Sequence, residues 1–496
     1  MAVTGGESVD PAAMRRHRVL FRAVEKRRHP KLRRSDITVT DEAVVKRATK
    51  AAALGNAMEW YDFGIYSYLA ATIGKVFFPS GSDTAQLLSS FATFAVAFLV
   101  RPLGAMVFGP LGDKIGRRSV LAVTMIMMAV GTFAIGLIPS HDAIGFVAPG
   151  LLIFFRLVQG FSTGGEYGGA ATFIAEYAPD KRRGYFGSYL EFGTLGGYVG
   201  ASGLVVVLTG VLTQDQMLHW GWRIPFLVAA PLGFIGLYLR LKLDETPAFL
   251  KLEGGRAGTS DAAAVETSAT ADLGKIFTRY WRPLVLCLAL VAAYNVTDYM
   301  LLSYMPAYLS DELGYGTNRG LLILVLVMVV QMCVINQVGR LSDRFGRRPL
   351  LMTGMLGFLV LSVPSYLLIR QGSIALIALG LLLLGLCLVA LLGTMSAALP
   401  AIFPTHVRYG SLAVAYNLST SLFGGTTPLV TTALISVFHT TLMPAYYATL
   451  AAAVGVVAVL CMKETAQKPL AGSPPCVETD EEAAELVQDQ SPRPRF

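Results

Sequence analysis

Ionisable side chains set inside apolar stretches are the residues of this chain best placed to do chemistry, because a charge in hydrocarbon is costly unless it is paired or wet. Glu59, Asp62 and Tyr66 fall at i, i+3 and i+7, with Trp60 and Phe63 beside them. One helix face would then carry two carboxylates able to share or relay a proton. Arg156, Gln159, Thr163 and Glu166 form a second stripe, and Tyr167 follows it. At about 1.5 Å per residue, Arg156 and Glu166 stand roughly 15 Å apart along the axis, so each needs a partner on another helix. Asn295, Asp298, Tyr299 and Leu302 make a third stripe, and Asn417 is a polar residue in a later apolar run. Arg101, followed by Pro102, either neighbours a first-helix carboxylate or snorkels to an interface. Glu59 has a local alternative in Lys50.

Such stripes need long apolar helices to hold them. The chain has 496 residues, 54% hydrophobic and 15% charged, against about 25% charged in a soluble domain; a water-soluble globule is excluded. Apolar runs occupy 51–78, 86–109, 119–138, 147–177, 187–210 and 222–241, then 283–306, 320–341, 349–369, 374–402, 410–437 and 442–462. Each suits one crossing of the bilayer, for which about 20 residues suffice. The expected fold is all-α and polytopic, with 12 transmembrane helices in two six-helix bundles. The expected units are a basic tail at 1–47, a first bundle at 48–241, a polar linker at 242–282, a second bundle at 283–462 and an acidic tail at 463–496, where no heptad run occurs. Gly160, Gly164, Gly165, Gly168 and Gly169, and Gly193, Gly196, Gly197 and Gly200, have the small-residue spacing of closely packed membrane helices. They are not a phosphate loop, since no G-x-x-x-x-G-K-(S/T) occurs. Cys287, Cys333, Cys387, Cys461 and Cys476 are scattered and suggest neither a disulfide framework nor a zinc site. No cofactor, no metal and no enzyme activity are expected.

The net charge of +8 is concentrated in alternate loops. Lys114, Arg117, Arg118, Lys181, Arg182, Arg183, Arg340, Arg344, Arg347, Arg348 and Arg408 stand on one side, whereas the opposite loops hold little beyond Arg319 and Arg370. By the positive-inside rule both termini and the linker are cytoplasmic. The basic residues thus report orientation rather than nucleic-acid binding. The stretch Met14 to Arg28 has the charge to lie on anionic lipid.

An internal repeat divides the chain further. Gly109-Pro-Leu-Gly-Asp113-Lys-Ile-Gly-Arg117-Arg118 returns as Gly339-Arg-Leu-Ser-Asp343-Arg-Phe-Gly-Arg347-Arg348, 230 residues later. Both loops resemble the signature of the major facilitator superfamily. Glu59-Trp-Tyr-Asp62, Arg101-Pro-Leu-Gly, Gln159-Gly-Phe-Ser-Thr-Gly-Gly-Glu166, Gly221-Trp-Arg-Ile-Pro-Phe and Ala401-Ile-Phe-Pro-Thr-His-Val-Arg narrow the likeness to its metabolite:proton symporter family. Asn295-Val-Thr, Tyr299-Met-Leu-Leu and Met443-Pro-Ala-Tyr-Tyr point to the branch that carries proline and glycine betaine.

The resemblance implies a bacterial inner-membrane carrier, functional as a monomer, that imports a small zwitterionic osmolyte with protons by alternating access. It makes Gly109, Asp113, Arg117, Arg118, Asp343, Arg347 and Arg348 a cytoplasmic gate. Glu59, Asp62, Arg101, Arg156, Glu166 and Asp298 become the proton-coupling set, with Asp62 favoured and Arg156 as its counterpart. Trp60, Phe63, Tyr66, Arg156, Gln159, Tyr167, Asn295, Tyr299 and Asn417 become the substrate contacts, an arginine for the carboxylate and aromatic faces for the ammonium. Symport of dicarboxylates, tricarboxylates or hydroxy acids on the same scaffold is the competing expectation, and a non-transporting membrane sensor a remote one.

Overall fold

The computed structural model describes residues 32–115, 117–241 and 278–488; the side chains at 109–110, 112–119, 121, 236–241, 317 and 406 lie outside the description. Asp41 starts the first long helix, α1 (Glu42–Tyr68), by accepting a hydrogen bond from the Ala43 N–H, which satisfies one donor that a helix start leaves open. The helix therefore begins inside the stretch read from the sequence as a tail. It breaks at Leu69 and resumes as α2 (Ala70–Phe77), so the run 51–78 is two helices rather than one.

There follow α3 (Asp83–Leu99), α4 (Arg101–Ile115), α5 (Arg117–Leu137), α6 (Val147–Ser162), α7 (Glu166–Tyr177), α8 (Arg183–Val211) and α9 (Arg223–Leu241). Beyond the linker come α10 (Trp281–Tyr299), α11 (Thr317–Phe345), α12 (Arg347–Ile369), α13 (Ile374–Ala398), α14 (Thr405–Ser419), α15 (Thr427–Phe438) and α16 (Met443–Cys461). Among the described residues nine helical stretches are long and apolar enough to cross a membrane. The shorter apolar helices Ala122–Leu137 and Arg223–Ile235, with α1, whose first turns carry Glu42, Lys46, Arg47 and Lys50, take the remaining places in chain order. Large apolar side chains such as Phe146, Val211, Phe234, Val360 and Val437 point outward, as a surface solvated by lipid requires.

Two glycine pairs set how closely the site helices approach. A Cβ at Gly193 or Gly197 of α8 would run into the carbonyl oxygens of Ala53 or Ala57 on α1. One at Gly160, or at Gly164 just past the end of α6, would meet those of Ala97 or Arg101. Backbone thus lies against backbone where the stripes sit, the arrangement that small residues permit in membrane helices.

Three spans are interrupted at the level of the stripes. A tight 3₁₀ turn at Thr163–Gly165 separates α6 from α7, and wide π turns at Met300–Tyr304 and Thr420–Gly424 follow α10 and α14. Such turns loosen the backbone ladder and recur at functional sites.

The acidic tail differs from the expectation of a plain appendage. Its strand β2 (Cys476–Val477) pairs in parallel with β1 (Thr38–Val39), and α17 (Asp480–Gln488) closes Ala483 over Ile37 and Val477. Residues 1–31, including the basic stretch expected to meet anionic lipid, and 242–277 of the linker lie outside the described residues.

Candidate functional site

The first stripe and Arg101 meet inside the first half. Arg101 makes an ion pair with Glu59, both side chains buried, and lays its guanidinium 4.8 Å from the Phe63 ring centre and 4.7 Å from that of Phe98. Asp62 has a different partner: its Oδ2 accepts the Thr132 hydroxyl at 2.7 Å. Gln159 Nε2 donates to the same Thr132 oxygen at 2.5 Å, and Arg156 Nη1 donates to Gln159 Oε1 at 3.0 Å. Asp62 and Arg156 are therefore joined through two neutral side chains rather than in direct contact. Beside Asp62 a cavity of about 10 Å³, bordered by Met58, Tyr61, Met128 and Ala229, has room for about one water.

Arg156 is fully buried, yet its Nε and Nη2 have no hydrogen-bond partner among the described residues. Its planar face lies 4.1 Å from the Tyr66 ring centre and 5.3 Å from those of Phe63 and Phe94. A guanidinium held by stacking, with an edge free, is prepared to receive a carboxylate in bidentate fashion. Aromatic rings continue from there to the second half. Trp60 packs on Tyr198 and Tyr299 at 5.3 and 5.6 Å between ring centres, and Phe98 on Tyr299 at 5.4 Å.

Tyr167 leads to a second cluster, around Glu191. Tyr167 stacks flat on Tyr416, ring centres 3.9 Å apart, and donates its hydroxyl to Glu191. Thr194 and Tyr294 hydroxyls reach the other Glu191 oxygen at 2.9 and 3.4 Å. Asn295 donates to Thr420 Oγ1 at 2.9 Å and Asn417 to the Gly164 carbonyl at 2.5 Å, each thus meeting an interrupted span. Asp298 is 1% exposed and its Oδ1 has no hydrogen-bond partner among the described residues. Glu166, seven-percent exposed, accepts the Thr124 hydroxyl at 3.0 Å.

With the geometry in place, comparison decides the family. Residues 48–474 match the family described as "Sugar (and other) transporter". The chain belongs to that family. The transporter is 48% identical over 457 residues to the "Proline/betaine transporter" of Escherichia coli, covering 91% of this chain and 90% of that one. It is 47% identical to the "Glycine betaine/proline/ectoine/pipecolic acid transporter OusA" of Dickeya dadantii, with 92% and 90% covered. A solved proton:xylose symporter of the major facilitator superfamily shares the fold at TM-score 0.68 and 19% identity, covering 87% of this chain and 98% of that one. This transporter is accordingly a multi-pass membrane protein with the fold of the major facilitator superfamily, and not an enzyme.

At the end of the transporter where β1 and β2 pair, the repeat residues of the second half are knitted together. Asp343 accepts the N–H groups of Gly184 and Tyr185 at 2.7 and 2.8 Å, across from the first half, and stands 3.7 Å from Arg347. Arg347 and Arg348 donate their backbone N–H groups to Glu464, both at 3.0 Å. Gln467 donates to the Asp343 carbonyl at 2.8 Å, and Arg408 pairs with Glu176 at 2.6 Å. In the first-half copy, Gly109 lies within α4, and the side chains of Asp113, Arg117 and Arg118 lie outside the description.

Several residues of the site do not stand out from the stripes. Thr132, Phe94, Phe98 and Tyr198 are neutral residues in apolar runs and carry no signal of their own. Glu191 does carry one: it is a carboxylate inside the run 187–210, and an intramembrane acid is a functional candidate by default.

Proposed function

We propose that this transporter imports a small zwitterionic osmolyte of the proline and glycine betaine class together with protons, from the outside of the bacterial inner membrane, as a monomer. Both termini and the end closed by Asp343 and Glu464 are placed in the cytoplasm on this reading, because the basic loops lie on that side. The observation that carries the reading is the free edge of Arg156 beside an aromatic wall that runs from Tyr66 and Phe63 through Phe98 to Trp60 and Tyr299. Arg156 takes the carboxylate of the solute; the ring faces take its ammonium, at about 0.5–2 kcal/mol per contact. The names of the relatives, 47% and 48% identical, agree with that chemistry.

Arg101 is already neutralised by Glu59, which leaves Arg156 as the one unpaired guanidinium of this cluster among the described residues. One free cation suits a monocarboxylate zwitterion better than a dicarboxylate. Between Glu59 and Asp62, Asp62 is the better proton carrier, since Glu59 cannot take up a proton without stranding buried Arg101. Asn295, Tyr299 and Asn417 line the second-half side, and Asp113 with Asp343 and their arginines form the gate. Glu166 and Asp298 complete the acidic set and Tyr167 the aromatic set. Competition among glycine betaine, proline, ectoine, citrate and 2-oxoglutarate for uptake into proteoliposomes under an inward proton gradient tests the reading. Displacement by the zwitterions alone, and loss of uptake with a protonophore, is the expected result.

A further inference from the structure

We infer that Glu191 couples proton uptake to the parting of the two halves, as the acid through which protonation alters the contact between them; the inference rests on the proton-driven reading given above. Glu191 lies on α8 in the first half and is 1% exposed. Two of its donors, Tyr167 and Thr194, belong to that half, while the third, Tyr294 of α10, belongs to the other. The Tyr167–Tyr416 stack crosses the same divide immediately beside it.

The partners of Glu191 decide what a proton does there. All three are hydroxyl donors, and among the described residues it makes no ion pair. A proton on Glu59 would strand the Arg101 cation, whereas a proton on Glu191 strands no charge. A carboxylate accepts such hydroxyls strongly, and the neutral acid accepts them about half as well. Protonation at Oε2 therefore weakens the Tyr294 contact, which at 3.4 Å is already the longest of the three. Asp62 offers no equivalent, because Thr132, Gln159 and Arg156 all lie within its own half.

The titratable groups that face Glu191 from the packed helices are Tyr167 on α7, Tyr294 and Asp298 on α10, and Tyr416 on α14. Arg101 and Glu59 reach the cluster through Tyr416. From α1, Asn56 holds Thr194 at 2.6 Å and is neutral. In the cycle, the proton arrives at Glu191 from the outer side, the Tyr294 hydroxyl lets go, and the halves rock. On the inner side the proton leaves and the restored carboxylate recaptures Tyr294.

The test uses the full-length wild-type and Glu191→Gln proteins in proteoliposomes, with labelled proline as probe. Two assays are run: accumulation driven by an inward proton gradient, and counterflow without a gradient. Glu191→Gln is expected to keep counterflow within about twofold and to lose gradient-driven accumulation by roughly a hundredfold, the low end of what a positioned proton-transfer group supplies. Accumulation equal to wild type overturns the inference, and so does loss of both activities in a folded variant. Where Glu191→Gln does not fold, Tyr294→Phe decides: a shifted pH profile of accumulation supports the coupling and an unchanged one overturns it. Wild-type uptake indifferent to a protonophore would instead remove the proton-driven reading itself.

Discussion

Glu59 of α1 and Arg101 of α4 form an ion pair whose side chains are only 3% and 2% exposed, so the first two spans are joined by charge where no water can replace either partner. Removing Glu59 leaves Arg101 buried without its counter-charge, and removing Arg101 takes from buried Glu59 the cation beside it, a cost of about 3–5 kcal/mol. Arg101→Ala and Glu59→Gln are each expected to lower the melting temperature of the detergent-solubilised protein sharply. Joint replacement by Glu59→Leu and Arg101→Met is expected to restore most of that melting temperature while leaving uptake abolished. Melting followed by size-exclusion chromatography reads the first effect, and transport the second. A double variant no more stable than the singles would mean that the pair is not a closed unit.

Arg156 offers a sharper division between folding and binding. Its aromatic stack and its bond to Gln159 fix the guanidinium plane, and the free edge is what a solute carboxylate would use. A lysine keeps the charge but presents one point donor in place of a fork. Arg156→Lys is expected to raise the KM for proline and for betaine alike by about tenfold or more, since charged hydrogen bonds contribute about 1.5–3 kcal/mol each. Initial-rate uptake across a range of solute concentrations measures it. An unchanged KM would remove Arg156 from the solute site.

The architecture was legible because its signals are collective. Long apolar runs, the 230-residue repeat and the glycine spacing each draw on many residues, and Gly193 and Gly197 indeed lie directly against the α1 backbone. Pairing was less legible. Nothing in the sequence says that Thr132 stands between Asp62 and Gln159, because a threonine in an apolar helix has the same local pattern whether it bonds its own backbone or a carboxylate on another span. Glu191 is a different case. It belongs to no stripe with a second acid, and its partners Tyr167 and Tyr294 are 24 and 103 residues away, so the cluster exists only once the helices are assembled. The docked tail was hidden for another reason: its strand is two residues long, too short for any alternation to register.

Asp343 joins the halves through two backbone N–H groups, those of Gly184 and Tyr185, at the start of α8. Bonds of this kind to a carboxylate are the strong ones, and an amide oxygen accepts them about half as well. Asp343→Asn is therefore expected to favour the conformation open at this end. Ser342→Cys would report it, reacting several-fold faster with a thiol reagent in the Asn background than with Asp343 intact. Ser342 is fully buried against Gly184 of the other half, so the label enters only when the halves part. Equal labelling in both backgrounds would deny Asp343 a part in holding this end shut.

Glu464 gives the tail a dependence on pH whose sign follows from its surroundings. Partial burial pushes its carboxyl up, but N–H donors from Arg347, Arg348, Thr465 and Ala466 outweigh burial and hold it below the usual carboxylate range. A depressed acid contributes stability above its unfolded pKa and loses it as pH falls through the folded value, so acid should loosen the tail from Arg347 and Arg348. Cys476, 5% exposed between Thr40 and the Tyr177 carbonyl, is a native reporter. A pyridyl disulfide, which reacts with thiols even in acid, is expected to label Cys476 slowly near neutrality and faster below pH ~4.5, the range in which carboxylates titrate. Asp180, which burial raises, titrates in the opposite sense beside Cys476, so the comparison that isolates Glu464 is the difference between wild type and Glu464→Gln. That variant should label fast at neutral pH and gain little in acid, with Cys476→Ser marking the background from the other cysteines. If wild type and Glu464→Gln label alike at every pH, the four N–H bonds do not hold the tail, and its anchorage must be sought in the strand pair and the Ile37, Val477 and Ala483 contact.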